Sequence, residues 1–486
     1  MASRQRREEE GVESRPAGNT TSVRSIGIIG AGYVGLVSAA CFAELGNRVV
    51  CVESDAAKLA RLRRGEIPIH EPSLGELIAR NVRAERLRFG ASVAEAVLGA
   101  EFVFIAVGTP TSADGHADVS AVLAVAREIG RALDGPKIVV LKSTVPVETG
   151  ELISTLIKEH AAGEMPVSVV SNPEFLREGS AVSDFLKPDR VVIGTADPDA
   201  ERALRDLYAP LGAPFVVTDV RTAEMIKYAA NAFLATKISF ANEIANVCEL
   251  LGVDVRTVCE AIALDRRIGP SCLNPGIGYG GSCLPKDVRA LAQIAIDRDY
   301  AAPLLHAVEL VNRAQIDRTV AKLERELGTL RDRTVAVLGL AFKPDTDDVR
   351  DAPALALVRS LLESGVFVRA HDPIAVQAAA AALPAQGRLT FASDPYEAAA
   401  GADALLLATE WNEFRALDFA RCARVMRGDA VVDGRNAFDP REVRAAGLRY
   451  AGVGRITPRA ENSPAFAPDP SRDRPRAPSR AAREPG

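Results

Sequence analysis

The sequence predicts an α/β protein: two doubly wound domains joined by an α-helical central domain with a long connecting helix. Three stretches carry that prediction. A strand–turn–helix–strand unit opens at VRSIGIIGAGYVGLVSAACFAELGNRVVCVESD, and a second at RTVAVLGLAFKPDTDDVRDAPALALVRSLLESGVFVRAHDP. Between them, AEMIKYAANAFLATKISFANEIANVCELLG has no proline, and no glycine before its last residue.

The first unit reads as strand 23–29, helix 33–45 and strand 48–52. Gly30, Gly32 and Gly35 place GxGxxG at the strand-to-helix turn. The first glycine permits the tight turn, the second lets a pyrophosphate touch backbone, and the third lets helix and strand pack closely. The helix N-terminus then faces the phosphates. Glu53 closes the second strand about 20 residues on, where an acid can hold both ribose hydroxyls. Its charge repels a 2′-phosphate, so the cofactor expected of this Rossmann-like unit is NAD.

Further strands of a parallel sheet are predicted at 102–107, 137–141, 167–170 and 190–193; the first three stop at the polar runs GTP, KSTVP and SNPEF. Ligands bind at the carboxyl ends of such strands. Thr109, Ser143, Thr144, Asn172 and Glu174 therefore belong on one rim, although turn or cap roles suit each of them singly. The long helix should begin under a Thr222 cap and end at Gly252, about 45 Å if unbroken. Lys227 and Asn231, four apart, share one of its faces; a solvated face is the plain alternative. Two more helices are expected to flank Asn312, between Pro285 and Gly328. The second unit reads as strand 334–338, helix 354–364 and strand 366–370, with strands at 404–408 and 430–432 completing a smaller sheet. It lacks GxGxxG, so Lys343 and Arg350 there suit a phosphate ligand other than a second NAD.

Cys283 lies in GYGGSCLPKDVRAL. Gly280 and Gly281 leave the sulfur approachable, and Pro285 reads as the first residue of a helix. Unpaired N–H groups and the positive helix end would favour a thiolate there. Lys286 adds a cation and Asp287 a carboxylate. Most cysteines, however, are simply small buried apolar residues.

Composition narrows the class. At 486 residues the chain exceeds one ordinary core, and 48% hydrophobic with 25% charged residues is the balance of a globular protein. A formal net charge of −5 gives no reason to expect nucleic acid. Seven scattered cysteines and five isolated histidines form neither a disulfide framework nor a metal-ligand spacing, so no metal is expected. No apolar run has the length to span a bilayer, and a reducing cytoplasm is the expected setting. The predicted organisation is a disordered segment 1–23, an NAD-binding domain 24–215, a helical central domain 216–328, a second Rossmann-like domain 329–456, and a disordered Pro/Arg-rich tail 457–486.

With GAGYVGL, GEIPIHEPSL, VGTP, STVP, NPEFLREG, GYGGSCLPKD and LGLAFKPDTDDVRDAP in place, the chain resembles the UDP-glucose/GDP-mannose dehydrogenase family from about Arg24 to Gly454. The resemblance implies oxidation of a nucleotide-sugar C6 alcohol to a carboxylate, consuming two NAD. It implies a Cys283 nucleophile passing through thiohemiacetal and thioester, with Lys227 and Asn231 on the developing oxyanion. Glu174 and Asp287 would position or activate water, and Thr144 would hold a water in the same network. Gly30, Gly32, Tyr33, Val34, Gly35, Glu53, Lys58, Thr109, Thr144, Glu178 and Arg350 would contact NAD. Phe175, Leu176, Lys227, Asn231, Tyr279, Gly280, Lys343 and Arg435 would contact the substrate. Arg267 would reach the substrate of a neighbouring subunit, making the unit a homodimer.

DRRIGPSCLNPGIGYGG, ATEWNEF and DGRN resemble the UDP-glucose branch, while GSCLPKDVRAL also resembles the GDP-mannose branch. Two departures stand out: Cys272 replaces an aromatic residue in the substrate loop, and Val147-Glu148 follows STVP. UDP-glucose is the expected substrate; a UDP-N-acetylhexosamine or GDP-mannose is the alternative. Against an inactive NAD-binding regulator, Cys283, Lys227, Asn231, Glu174, Thr144 and Asp287 are all present where drift would lose some, and an alcohol dehydrogenase stopping at the aldehyde would have no use for the thiol.

Overall fold

A computed structural model describes residues 23–383 and 387–455. Of the expected disordered ends, 1–23 and 457–486, all but Val23 fall outside the described residues.

The first sheet has eight strands: β1 Ser25–Ile29, β2 Arg48–Val52, β3 Leu87–Gly90, β4 Phe102–Ile105, β5 Lys137–Leu141, β6 Val167–Ser171, β7 Val191–Gly194 and β8 Phe215–Thr218, in the order 3-2-1-4-5-6-7-8. The order reverses between β1 and β4, which opens a crevice at their carboxyl ends. One strand relationship departs from the prediction. β7 meets β6 antiparallel, at Ser171 opposite Gly194, and β8 follows β7 in parallel. Apolar content alone cannot distinguish a strand's direction. Strands β3 and β8 were not predicted, both being short and interrupted by polar or half-buried positions.

The turn after β1 is built as the glycine spacing requires. Gly30 has φ 103°, and a Cβ on Gly35 would lie 1.8 Å from the Gly30 carbonyl oxygen. Beneath the sheet, Phe42 packs on Phe104, Phe185 and Tyr208, with ring centroids 5.0, 5.0 and 5.4 Å away. This aromatic cluster fixes the Tyr208 ring under the carboxyl end of β6.

The helix Val220–Leu251 follows for 32 residues. Its N-cap is Asp219, not Thr222: the Asp219 side chain accepts from both the backbone N–H and the hydroxyl of Thr222. Aspartate is the better acceptor at that position. Gly252, at φ 69°, ends the helix. Helices Leu284–Ile296 and Pro303–Leu327 pack along it, and Asn312 lies inside the second instead of between the two. There its amide clasps the backbone N–H and carbonyl of Tyr279 at 2.8 and 3.0 Å.

The second sheet has six parallel strands: β9 Thr334–Leu338, β10 Phe367–His371, β11 Leu389–Phe391, β12 Ala404–Leu407, β13 Ala430–Asp433 and β14 Arg449–Gly452, in the order 11-10-9-12-13-14. Its βαβ turn differs from the first. Asp372, just beyond β10, turns inward and accepts from the N–H groups of Leu340 and Ala341 at 2.7 and 3.1 Å and from the Trp411 indole at 3.0 Å. The position where Glu53 could meet a ribose is here filled by the protein's own backbone, in keeping with the missing GxGxxG.

Candidate active site

A cleft of about 940 Å³ opens where the carboxyl ends of the first sheet, the long helix and the second unit meet. Its wall includes Glu174, Phe175, Leu176 and Glu178 from beyond β6, Lys227 and Asn231 from the long helix, Gly280 and Cys283 from the glycine loop, and Lys343 from beyond β9. Residues scattered over 170 positions of sequence thus share one wall.

At its centre, the Lys227 Nζ lies 3.0 Å from the Glu174 Oε1, and both side chains are about 95% buried. Burial by itself disfavours the ammonium, but the charges of Glu174, Cys283 and Asp287 more than offset it and hold the lysine above its ordinary range. This face of the helix is therefore not a solvated one. Asn231 donates to Asp287 at 2.6 Å, and Lys286 to the other Asp287 oxygen. Asp287 is wholly buried and is not part of the cleft wall, so it acts on the cleft through Asn231.

Cys283 caps the helix Leu284–Ile296, as predicted from Pro285, which falls one place later than expected, at the second helical position. The expectation of a ready thiolate is corrected. Burial, then the Glu174 charge, pushes the thiol up, and Lys227 only partly opposes them. Lys286 does not supply the cation: its ammonium turns to Asp287 and to Thr109, 3.4 Å away. The cation facing the sulfur is Lys227. The Cys283 Sγ lies 3.6 Å from the Ser282 hydroxyl.

Ser282 also donates to Glu178 at 3.1 Å, as does Thr346 from beyond β9, while Arg350 stands 3.6 Å off. All three parts of the chain thus meet at one carboxyl, which burial and the Asp348 charge push up to about 7. Arg350 itself is held by Asp348 at 2.6 Å.

The dinucleotide turn fits a bound NAD. A Cβ at Gly32 would meet no protein atom within 4 Å, leaving open space above the helix N-terminus, and no side chain caps that terminus. Val34 follows in the helix's first turn. Glu53 waits at the end of β2, paired with Lys58 at 2.8 Å. Thr109 donates to the Thr144 carbonyl at 2.8 Å and Ser143 to the Val107 carbonyl at 2.6 Å, so both hydroxyls tie strand ends together. Tyr33 is drawn the other way, onto Glu71, and accepts from the Gly179 N–H at 2.8 Å.

Four expected substrate residues are placed less simply. Gly280 lines the cleft, but its tight neighbour is the Asp351 carbonyl, 2.2 Å from where a Cβ would sit. Tyr279 is buried in an apolar cluster with Ala232, Ala235, Val288 and Val308, behind the wall. Arg435 donates to the carbonyls of Ala408 and Gly278 at 2.8 and 2.9 Å and keeps one buried, unpartnered Nη. Arg267 is 89% exposed, paired only with Asp265 among the described residues, and stands outside the cleft.

Sequence reasoning missed Lys142, Arg177, Lys187 and Arg190, all on the cleft wall. The Arg190 guanidinium lies 3.6 Å over the Phe175 ring. The only signal was position: Lys142 opens KSTVP, directly after a strand whose end belongs to the rim.

An NAD-binding sheet with a buried lysine–carboxylate pair and a thiol in the cleft at its carboxyl end is the arrangement of a dehydrogenase. The comparisons name that class. Family models of the UDP-glucose/GDP-mannose dehydrogenases match residues 24–212 (NAD-binding domain), 221–314 (central domain) and 336–440 (UDP-binding domain), and the chain belongs to this family. Among its relatives, the UDP-glucose 6-dehydrogenase of Pseudomonas aeruginosa is 51% identical over 450 residues, 90% of this chain and 99% of the relative. The UDP-glucose 6-dehydrogenase TuaD of Bacillus subtilis is 46% identical over 433 residues, 89% of this chain and 94% of the relative. A solved UDP-glucose dehydrogenase from Pyrobaculum islandicum superposes with TM-score 0.85 at 43% identity, covering 91% of this chain and all of that one.

Proposed function

We propose that this chain oxidises UDP-glucose at C6 to UDP-glucuronate in two steps, through a covalent adduct on Cys283. One observation carries the reading: a half-buried thiol shares a cleft with a buried Lys227–Glu174 pair at the carboxyl end of an NAD-binding sheet. Identities of 46–51% to relatives named for UDP-glucose, against 27% to a UDP-D-ManNAc dehydrogenase, support the choice of sugar.

NAD, bound afresh for each of the two oxidations, would supply the hydride acceptor. In the first, Glu174, the carboxylate facing the cleft, takes the C6 hydroxyl proton, and Lys227 and Asn231 stabilise the oxygen left behind. Cys283 then adds to the aldehyde, giving its proton to Glu174 as the S–C bond forms and the oxygen is reprotonated. The resulting thiohemiacetal loses its hydroxyl proton to Glu174, which has first released the earlier proton to solvent, and becomes a thioester in the second oxidation. Water, directed by Glu174, cleaves it to acid and free thiol. The raised thiol suits this order, because the sulfur need ionise only as the carbonyl appears beside it. Phe175 and Leu176 would border the sugar, with Lys343 and Arg190 the cations nearest its phosphates. Arg435, whose spare Nη lies behind Gly276 and Gly278, would join only if that loop shifts.

The same reading makes the unit a homodimer. Phe233, Phe240 and Val247, seven apart on the long helix, are 65, 49 and 44% exposed and run on to Leu250 and Leu251. An apolar stripe at heptad spacing suits a second copy of the helix. Arg267 beyond it would then enter the partner's cleft. No helix among the described residues is long and apolar enough to cross a membrane, and seven free cysteines suit a reducing cytoplasm.

The test is a panel of UDP-glucose, UDP-N-acetylhexosamines and GDP-mannose with NAD. About two NADH per UDP-glucose supports the reading, following the four-electron balance of alcohol to acid. One NADH per sugar, or preference for another sugar, contradicts it. Sedimentation of the same sample should give a dimer.

A further inference from the structure

Lys142 follows β5 directly, yet its side chain turns inward and is about 95% buried. No carboxylate stands within ion-pair distance of it among the described residues. Its ammonium donates instead to the Asn172 carbonyl oxygen at 2.9 Å and the Tyr208 hydroxyl at 3.3 Å. Those two partners are joined to each other at 2.6 Å, and the Asn172 amide is fixed to the Val192 carbonyl at 2.7 Å. Tyr208 in turn is held by the aromatic cluster under the sheet. A buried lysine with only neutral partners is an expensive arrangement that packing alone would not select.

The arrangement leads straight to the reactive centre. Asn172 stands two residues before Glu174, with the rigid Pro173 between them, so whatever fixes Asn172 fixes the carboxylate. The titratable or charged groups facing Lys142 are Tyr208, Glu174 and Lys227, with Arg190 across the Phe175 ring. Cys283 and Asp287 are next beyond Lys227. We propose that Lys142 is a positioning residue for the catalytic carboxylate, holding Glu174 through Asn172 and placing a positive charge behind the Glu174–Lys227 pair. This rests on Glu174 being the base of the proposed reaction. Burial pushes Lys142 down to about 7, Glu174 partly opposing, so that charge varies across the working pH range.

The experiment compares wild type, Lys142→Met, Lys142→Arg and Tyr208→Phe over pH 5.5–9.5, reading kcat, KM for UDP-glucose and thermal unfolding. Wild type is measured first, and absence of NADH formation there would mean that the underlying reaction fails, whatever the variants do. Given active wild type, Lys142→Met should lower kcat at pH 7 about tenfold or more with KM within about threefold. Its acidic limb should move to higher pH by about half a unit or more, because losing a cation behind the reacting groups makes proton release from them harder. Lys142→Arg, always charged, should return the limb toward wild type. Tyr208→Phe removes one acceptor from the ammonium and should move the limb the same way as Lys142→Met, which keeps the test open if the methionine variant does not fold. A kcat within about twofold of wild type in Lys142→Met, or a lower kcat with an unchanged profile shape in both it and Tyr208→Phe, overturns the proposal.

Discussion

The Lys227 ammonium and the Glu174 carboxylate form a buried ion pair at 3.0 Å on the wall of the cleft that holds Cys283. Of the charges that hold the buried ammonium against desolvation, Glu174 is the largest. Removing one partner leaves an uncompensated buried charge, at a cost of roughly 3–5 kcal/mol. Lys227→Ala should therefore lower both stability and kcat, the latter by about 10²-fold or more for loss of the oxyanion partner. Steady-state kinetics and thermal unfolding of the variant check this. A Lys227→Ala protein as stable and active as wild type would contradict the pairing.

The thiol makes a separate prediction. Burial and Glu174 hold Cys283 above the ordinary cysteine range, and Lys227 restrains the rise. Alkylation of Cys283 in the resting protein should accelerate continuously from pH 7 to 9. It should be slower still in a Lys227→Met variant. Mass spectrometry of the Cys283 peptide measures both, and a rate already at its plateau at pH 7 would show a preformed thiolate.

Gly32 and Gly35 should separate binding from folding. A Cβ on Gly32 meets nothing in the protein, whereas one on Gly35 meets the Gly30 carbonyl at 1.8 Å. Gly32→Ala should unfold like wild type while its KM for NAD rises about tenfold or more, the pyrophosphate having lost its close approach to backbone. Gly35→Ala should be destabilised outright. Equal behaviour of the two variants would contradict the assignment of the turn.

Glu224 links stability to pH. It accepts the N–H groups of Glu148 and Gly150 at 2.9 and 2.8 Å, tying the long helix to the turn after β5, yet burial pushes it up to about 7. An acid raised in the folded state stabilises fully below its unfolded value and loses that contribution as pH climbs through the folded one. Between about pH 4.5 and 7 its share of the loss is roughly 3 kcal/mol at most. Lys142 works in the opposite sense over a higher range, gaining stability as pH rises through about 7. Glu224→Gln should start less stable, having lost one acceptor, but its stability should fall less between pH 5 and 7. Denaturant unfolding at both values gives the comparison.

What the sequence made legible follows from how local each signal is. The GxGxxG turn, its helix and the Glu53 strand end are written within about 30 residues, and they stand where the spacing put them. One helical period put Lys227 and Asn231 on a shared face and one glycine–proline loop put Cys283 at a helix start, but only the family resemblance pointed to their roles. The direction of β7 was not legible, since it depends on how the chain returns across the sheet edge. The thiol's raised pKa depends first on its burial in the fold and then on Glu174, more than a hundred residues away in the chain. Lys142 escaped notice because a lysine after a strand ordinarily points to water; only the folded positions of Asn172 and Tyr208 reveal that it does not. The long helix starts at Val220, three residues ahead of the apolar period that begins at Ala223, so Asp219 caps it and Thr222 does not.

The covalent role of Cys283 is tested most directly by trapping. Wild type, given UDP-glucose and NAD and quenched in acid during turnover, should carry a UDP-glucuronyl thioester on the peptide containing Cys283. Cys283→Ala should carry none and release no acid. Acid formed by Cys283→Ala at the wild-type rate, or an adduct found on any other residue, would contradict the account.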